Sequence, residues 1–393
     1  MRTYRLCTRR NADSQRIYDC LVANNWTFTK DIHLADLIVI STCGATDQTE
    51  DWSLDNIEDI LEKKSESSEI IITGCLPNIN PERIQELGSF RVISPRRLDD
   101  FDEIIDANVK IRELKEVGTT CVPDFITEKK DTLEDKFKRY IKGFNLSVDF
   151  IKFCIRTVKR RWERHTPSYD IRIARGCLSN CTYCAIKLAT GRLESKPINQ
   201  IIDEFKTGLK KGYKLFRFVA IDTGCYGMDI DTSIIELLEK TFSLEGNFKL
   251  VITDFNPQWL IKYYDELIPI IRKNQTRLLG ISTPIQSGSD RILRLMKRPY
   301  KIEKVKEKLK DLHNKFPRLR LRTQIIVGFP GETAEDFVET KKLIQECNFY
   351  QVEFFKYNDR PNTEAVELEK KIPVEIINDR AQELLDLGGS LQN

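Results

Sequence analysis

Three cysteines stand at positions i, i+4 and i+7 in RGCLSNCTYCAIK: Cys177, Cys181 and Cys184. Thiolates spaced this way in one loop can each take one iron of a four-iron cube. The fourth iron is then left without a protein ligand and open to a small chelator. S-adenosylmethionine (SAM), with its amine and carboxylate, fits that opening. One electron from such a [4Fe–4S] cluster splits the sulfonium to a 5′-deoxyadenosyl radical, which takes hydrogen from unactivated carbon, a task beyond side chains alone. Zinc is the competing reading, but zinc sites favour CxxC pairs and four ligands, and no fourth Cys or His lies nearby. Three unrelated core cysteines is the bland alternative, since cysteine is commonly buried.

A second set shares a topological position rather than a spacing. Cys7, Cys43 and Cys75 each follow a short apolar run, in YRLC, IVISTC and IIITGC. If those runs are parallel strands, their three loops leave one edge of one sheet, and the thiols meet there although they are far apart in sequence. Gly44 and Gly74 would let the backbone pass close to an inorganic core. Each cysteine taken alone also reads as an ordinary small buried residue.

The elements that must position these thiols follow from apolar periodicity. Strands are expected at Tyr4–Leu6, Leu37–Ser41, Ile70–Thr73 and Arg91–Ile93, with helices over 13–24, 47–64 and 81–87. This pattern predicts a small doubly wound parallel sheet. From Tyr169 six further strands alternate with helices: 169–174, 215–221, 249–253, 277–284, 319–329 and 350–357. Six βα units predict an open, partial barrel of (β/α)6 type, with the Cys177 loop directly after its first strand. The fold class is α/β throughout. Residues 1–115, 116–166, 167–360 and 361–393 are expected to form an N-terminal domain, a basic helical linker, the barrel and a helical tail.

The linker contains KFKRYIKGFNLSVDFIKFCIRTVKRRWERH, basic and interleaved with apolar residues. It reads as a solvated connector or as a substrate-binding element. Overall charge gives no such hint. The 63 Lys and Arg against 60 Asp and Glu leave a formal +3, too balanced to imply nucleic acid by itself. Three histidines, none within i,i+4 reach of another, argue against His-based metal or acid–base chemistry. Eleven cysteines in a chain of 393 residues do not suit a small disulfide scaffold, so they read as cluster ligands or reduced thiols. The N-terminus lacks an apolar signal region and no run approaches a membrane span, so a cytoplasmic protein is expected, with no membrane partner.

With these residues in view, the sequence resembles the radical SAM methylthiotransferases, members of which modify tRNA or ribosomal protein. The CxxxCxxC spacing after a barrel strand, CTRRNADS, STCGATD and TGCLPN carry the resemblance. It extends through DTGCYGMD, TPIQSGSDRILRLMKRPY, IIVGFPGET and YNDRPNTEA, from residue 4 to about 385. The resemblance implies two [4Fe–4S] clusters, the second held by Cys7, Cys43 and Cys75 and carrying or delivering sulfur. It also implies that one SAM methylates that sulfur while another yields the radical. Tyr183 would lie beside the adenine. A reductant such as flavodoxin or ferredoxin, and a sulfur donor, are implied partners.

Several strand-end residues would shape the SAM pocket: Asp222 and Gly224, Asp254, Gln286 and Ser287, and Gly328 with Gly331 and Glu332. Loop glycines and helix-capping acids look the same in sequence. Cys225 in DTGCYGMD, and Cys20, Cys121, Cys154 and Cys347, read mainly as structural thiols. Family members that act on tRNA usually end in a β-rich TRAM domain, and no strand pattern for one follows residue 385. The expected substrate therefore leans towards a polypeptide, with tRNA the alternative and other two-cluster C–H chemistry the third reading. Lys136–Lys142 and Lys159–Arg164 would dock an acidic peptide or RNA phosphates in its place.

Overall fold

The computed structural model describes residues 8–116, 118–120 and 167–392. Cys7, the expected strand Tyr4–Leu6 and nearly all of the basic linker, with Cys121 and Cys154, lie outside the described residues.

The N-terminal sheet is parallel and ordered β1 (Leu37–Thr42), β2 (Glu69–Gly74) and β3 (Arg91–Ile93). LIVIST and EIIITG are buried along nearly their whole length, as strands covered on both faces must be. Ile38, Ile40, Ile70 and Ile72 pack on Leu54, Ile57 and Ile60 of the helix Asp47–Lys63. The opposite face, Val39, Ile71 and Ile93, packs on Ile17 and Cys20 of the helix Thr8–Ala23 and on Phe101. The sheet is thus doubly wound. Thr46 starts the helix Asp47–Lys63 through a capping box with Thr49, which turns the chain immediately after Cys43.

The larger sheet begins with β4 (Thr119–Thr120), antiparallel to β5 (Ser168–Arg172). A small hairpin, β6 (Ala174–Arg175) with β7 (Glu194–Ser195), frames the cysteine loop. The sheet continues in parallel through β8 (Leu215–Val219), β9 (Lys249–Ile252), β10 (Leu278–Ser282), β11 (Arg320–Val327), β12 (Gln351–Lys356) and β13 (Ser390–Leu391). The six expected barrel strands are all present, and β4 and β13 extend the two edges. These edge strands are two residues long, too short for alternation to register in the sequence. Between β9 and β10 the chain forms two helices, Pro257–Lys262 and Tyr264–Lys273, broken at Tyr263.

Alternation along the barrel strands separates two faces. Tyr169, Ile171, Phe216, Phe218, Leu250, Ile252, Leu321, Ile325 and Phe354 belong to the core beneath the helices. Asp170, Arg172, Arg217, Arg322, Gln324 and Glu353 therefore point to the opposite, concave side. That inner face is charged: Arg217 pairs with Asp170, and burial raises the carboxyl pKa of Glu353 despite the nearby Arg322.

The N-terminal domain touches both ends of this open sheet. At the β5 end, Asp13 pairs with Arg172 at 2.6 Å and Arg175 at 2.8 Å, and Arg96 donates to the Lys187 carbonyl at 2.8 Å. At the β12 end, Arg360 pairs with both Asp47 and Glu50. The small domain therefore contacts the larger sheet both beside β5 and beyond β12. Among the described residues no helix is long and apolar enough to cross a membrane.

One buried acid in the barrel gives the fold a pH dependence. Burial pushes the Glu204 carboxyl up to about 7, although Lys196 at 2.7 Å pulls it down. A carboxyl bound more tightly to its proton when folded favours the native state below its unfolded pKa near 4.5. It loses that contribution as pH rises towards 7. Urea unfolding of the wild type is expected to show about 1–3 kcal/mol more loss between pH 5 and 7.5 than Glu204→Gln. Equal losses in the two chains would show that Glu204 is ionised throughout.

Candidate functional site

The loop from Cys177 to Cys184 is pinned at several points. Gly176 enters it at φ +63°, and a Cβ there would lie 1.7 Å from the Arg192 carbonyl oxygen, just before the returning strand of the hairpin. The Cys177 amide donates to the Gly191 carbonyl at 3.3 Å. Thr182 donates through its amide to Met296 O and through its hydroxyl to Leu295 O at 2.9 Å. Its own carbonyl accepts from the Ala365 amide. The loop is thereby tied to the helix Asp290–Leu295 and to the turn at 364–367. Gly176→Ala combines a disfavoured backbone with a backbone collision, so Cys177 must move. Loss of at least one cluster's share of iron after anaerobic loading, with lowered thermal stability, is the expected outcome. Unchanged iron and stability would mean that the turn yields freely.

The thiols fit a cluster better than a lone ion. Among the described residues no three of His, Cys, Asp and Glu converge on a single metal position. A four-iron cube asks for no such convergence, because each thiolate binds a different iron. Two donors already address the sulfurs: the Ser179 amide reaches Cys177 Sγ at 3.3 Å, and buried Arg298 reaches Cys181 Sγ at 3.5 Å. As free thiols, Cys177 is pushed up to about 11 by burial and then by Asp222, and Cys184 is raised by burial and then by Cys181. Buried neutral thiols beside amide and guanidinium donors become favourable ligands once iron replaces the proton.

Cys43 and Cys75 follow the paired residues Thr42 and Gly74 at the carboxyl edge of β1 and β2. They therefore leave adjacent strands side by side. Ser53 holds the Cys43 backbone at both ends, accepting from its amide at 2.9 Å and donating to its carbonyl at 3.1 Å. The two glycines beside them have a different reason from the one expected. A Cβ on Gly74 would meet the Thr42 backbone at 2.1 Å, and one on Gly44 would press on Leu76. Both make room for neighbouring protein rather than for an inorganic core.

Sequence reasoning missed how the segment opened by Cys75 packs on the segment that follows Cys184. Cys75 opens a short helix, Leu76–Ile79, that packs on the helix Ile186–Thr190, which begins two residues after Cys184. Cys75, Ile79, Ala185 and Ala189 form one apolar cluster. Small Ala185 and Ala189, four apart on one helical face, were the available signal.

The expected SAM-pocket residues divide into two groups. Gln286 and Asp254 both adopt positive φ, +77° and +49°, at strand ends where the chain turns sharply. The Gln286 side-chain oxygen is buried without a hydrogen-bond partner, an acceptor suited to a polar ligand. Tyr183 is half-buried, its ring edge-on to Phe329 at 6.4 Å. Asp254 Oδ1 also accepts from Gln324 Nε2 at 3.4 Å, and the remaining residues meet protein, with Glu332 Oε1 buried without a hydrogen-bond partner. Asp222 accepts from Trp259 Nε1 at 2.8 Å and from the Gly224 amide at 3.0 Å, and burial lifts its pKa to about 6. A Cβ on Gly224 would strike Trp259, and one on Gly328 would strike Ile377, so both positions are explained by packing. The Ser287 hydroxyl faces Thr340 and accepts from the Ser289 amide. Glu332 pairs with Arg380 and accepts from the Gly328 amide. Gly331 faces Leu295 loosely. Cys225 is buried and donates to the Asp222 carbonyl at 3.2 Å, a structural contact. Cys20 and Cys347 are likewise buried.

A cavity of about 840 Å³ opens at the opposite, amino-terminal ends of the strands, lined by Lys249, His313, Arg318, Arg320 and Tyr350 among others. It is remote from the cysteine loop.

Comparison with known proteins gives two family matches: the radical SAM superfamily over residues 171–344, and an uncharacterized protein family, UPF0004, over residues 5–93. The chain is 32% identical over 376 residues to a probable threonylcarbamoyladenosine tRNA methylthiotransferase of Pyrococcus horikoshii, spanning 96% of this chain and 80% of that one. It is 30% identical over 390 residues to the ribosomal protein uS12 methylthiotransferase RimO of Thermotoga maritima, spanning 98% and 82%. Among solved structures, the radical SAM methyltransferase TsrM of Kitasatospora setae superposes with a TM-score of 0.57 at 11% identity, covering 84% of this chain and 66% of that one. This is a likeness of fold.

Proposed function

We propose that this chain, which belongs to the radical SAM methylthiotransferase family, inserts methylthio at a C–H carbon of a tRNA nucleoside. Enzymes of the family use SAM and two [4Fe–4S] clusters. When bound, these supply the radical that removes hydrogen and the sulfur that takes its place. Cys177, Cys181 and Cys184 are the residues we assign to the first cluster, and Cys7, Cys43 and Cys75 to the second. Gln286, Asp254 and Tyr183 are the side chains we assign to SAM.

The chain's own part is to hold these groups near one another and to keep them from water. Packing of the Cys75 helix on the helix after Cys184 does the first. Closure of the open barrel by the N-terminal domain does the second.

The observation that carries the tRNA reading is the 32% identity, across 96% of the chain, to an enzyme named for threonylcarbamoyladenosine tRNA. The likeness to the uS12 enzyme keeps a polypeptide as the second reading. The basic segment 116–166 is proposed as a docking element for either, on its sequence charge. A reductant such as flavodoxin or ferredoxin, and a sulfur donor, complete the proposed partners.

The test compares cells with and without the gene by mass spectrometry of tRNA nucleosides and of peptides. Loss of a methylthio nucleoside from the deleted strain supports the tRNA reading. Loss of a methylthio residue from a peptide instead moves the assignment to the polypeptide. Loss of neither rejects both.

A further inference from the structure

We infer that Arg298 sets the reduction potential of the cluster held by Cys177, Cys181 and Cys184, raising it by placing positive charge against the Cys181 sulfur. This rests on the cluster assignment above and goes beyond it. Arg298 is 7% exposed and fully engaged. Nη1 donates to Cys181 Sγ at 3.5 Å, Nε donates to the Tyr300 hydroxyl at 3.0 Å, and Nη2 donates to the Pro284 carbonyl. The Tyr300 hydroxyl in turn donates a hydrogen bond to the Ile285 carbonyl at 2.8 Å, and the guanidinium lies 5.5 Å from the Tyr300 ring centroid. The group is fixed in position from several sides.

Its difference from the other buried arginines is the telling point. Arg172 pairs with Asp13 and Glu116, Arg360 with Glu50 and Asp47, and Arg380 with Glu332. Among the described residues no carboxylate stands within ion-pair distance of Arg298. Asp222, close enough to feel its charge, already accepts from Trp259 and Gly224. A buried cation without a counter-charge is costly. The sulfur of Cys181, anionic when it ligates iron, is the counter-charge the geometry provides. A cation and a hydrogen bond at a ligand sulfur stabilise the more negative, reduced state of a cluster over the oxidised one, which raises its potential. Arg298 acts through Cys181 and is a positioning residue.

The test uses the full chain carrying Cys43→Ser and Cys75→Ser, loaded anaerobically with iron and sulfide so that only the first cluster is read. Its midpoint is measured by redox titration followed by electron paramagnetic resonance. Arg298→Gln is expected to cut the reduced-to-oxidised ratio at a fixed potential at least tenfold, a fall of about 59 mV. Arg298→Lys, which keeps the charge, should lie between the two. An unchanged or raised midpoint in the glutamine chain with iron retained overturns the inference, as does a lysine chain that falls as far as glutamine. If the glutamine chain does not load iron, Tyr300→Phe decides, because it loosens the guanidinium and keeps it. A lowered midpoint supports the role and an unchanged one ends it. A parent chain that takes up no iron defeats the cluster assignment itself, a failure distinct from that of Arg298.

Discussion

Cys177→Ala is expected to halve the iron of the anaerobically reconstituted chain, from about eight to about four atoms, and to abolish formation of 5′-deoxyadenosine. The three thiols of the loop come from one short segment pinned by Gly176, Thr182 and Arg298, so two remaining ligands cannot recover the lost one by local rearrangement. The second set lies on other elements, Cys43 and Cys75 after β1 and β2, and should keep its iron. Cys43→Ala is the reciprocal experiment: SAM cleavage should persist while sulfur transfer stops. Iron and product analysis of the two variants reads both outcomes. Iron near four per chain in the intact protein would remove the second cluster. 5′-Deoxyadenosine without any S-adenosylhomocysteine would argue against methylthio transfer.

Glu50→Gln is expected to destabilise the chain by about 3–5 kcal/mol and to loosen the contact between the two domains on the β12 side. Glu50 sits on the first turns of the helix Asp47–Lys63 with a side chain only 2% exposed. It accepts from Asn80 Nδ2 at 2.8 Å, from Arg83 Nη1 at 3.0 Å, and from the buried Arg360 that follows β12. An amide cannot balance the buried Arg360 guanidinium, and its NH₂ would face donors, although Arg83 keeps Asp51 at 2.9 Å. Arg360 keeps Asp47, but that carboxylate is largely exposed and solvent weakens the pair. Urea unfolding with intrinsic fluorescence, together with limited proteolysis, checks the effect. A fall below about 1 kcal/mol would show that Asp47 alone holds the clasp. Since this contact closes the β12 end of the open sheet, sulfur transfer should drop more than SAM cleavage.

Much of the fold was legible because its strands are long and apolar. Parallel strands covered on both faces must be continuous runs of Ile, Val and Leu, and LIVIS and IIIT announce themselves. The short edge strands Thr119–Thr120 and Ser390–Leu391 did not, for two residues carry no period. The helix break at Tyr263 was hidden by an apolar stripe that continues across it. Among site residues, Gln286 and Asp254 stand at strand ends with positive φ, while Gly224, Gly328 and Ser287 turned out to be occupied by Trp259, Ile377 and Thr340. Glycines needed for packing and glycines needed for a ligand are identical in one dimension.

The sequence by itself determined the cysteine triad, because Cys177, Cys181 and Cys184 are local and their spacing alone suits one cube. It determined the strand-end position of Cys43 and Cys75 through the runs that precede them. Tertiary structure alone decided that the helix after Cys75 packs on the helix after Cys184, since that cluster joins Ile79 and Ala189 across more than a hundred residues and no periodicity encodes it. It likewise decided that Arg298 has a sulfur where other buried arginines have carboxylates. Which partner a buried charge meets depends on how elements distant in sequence pack, and spacing does not record that.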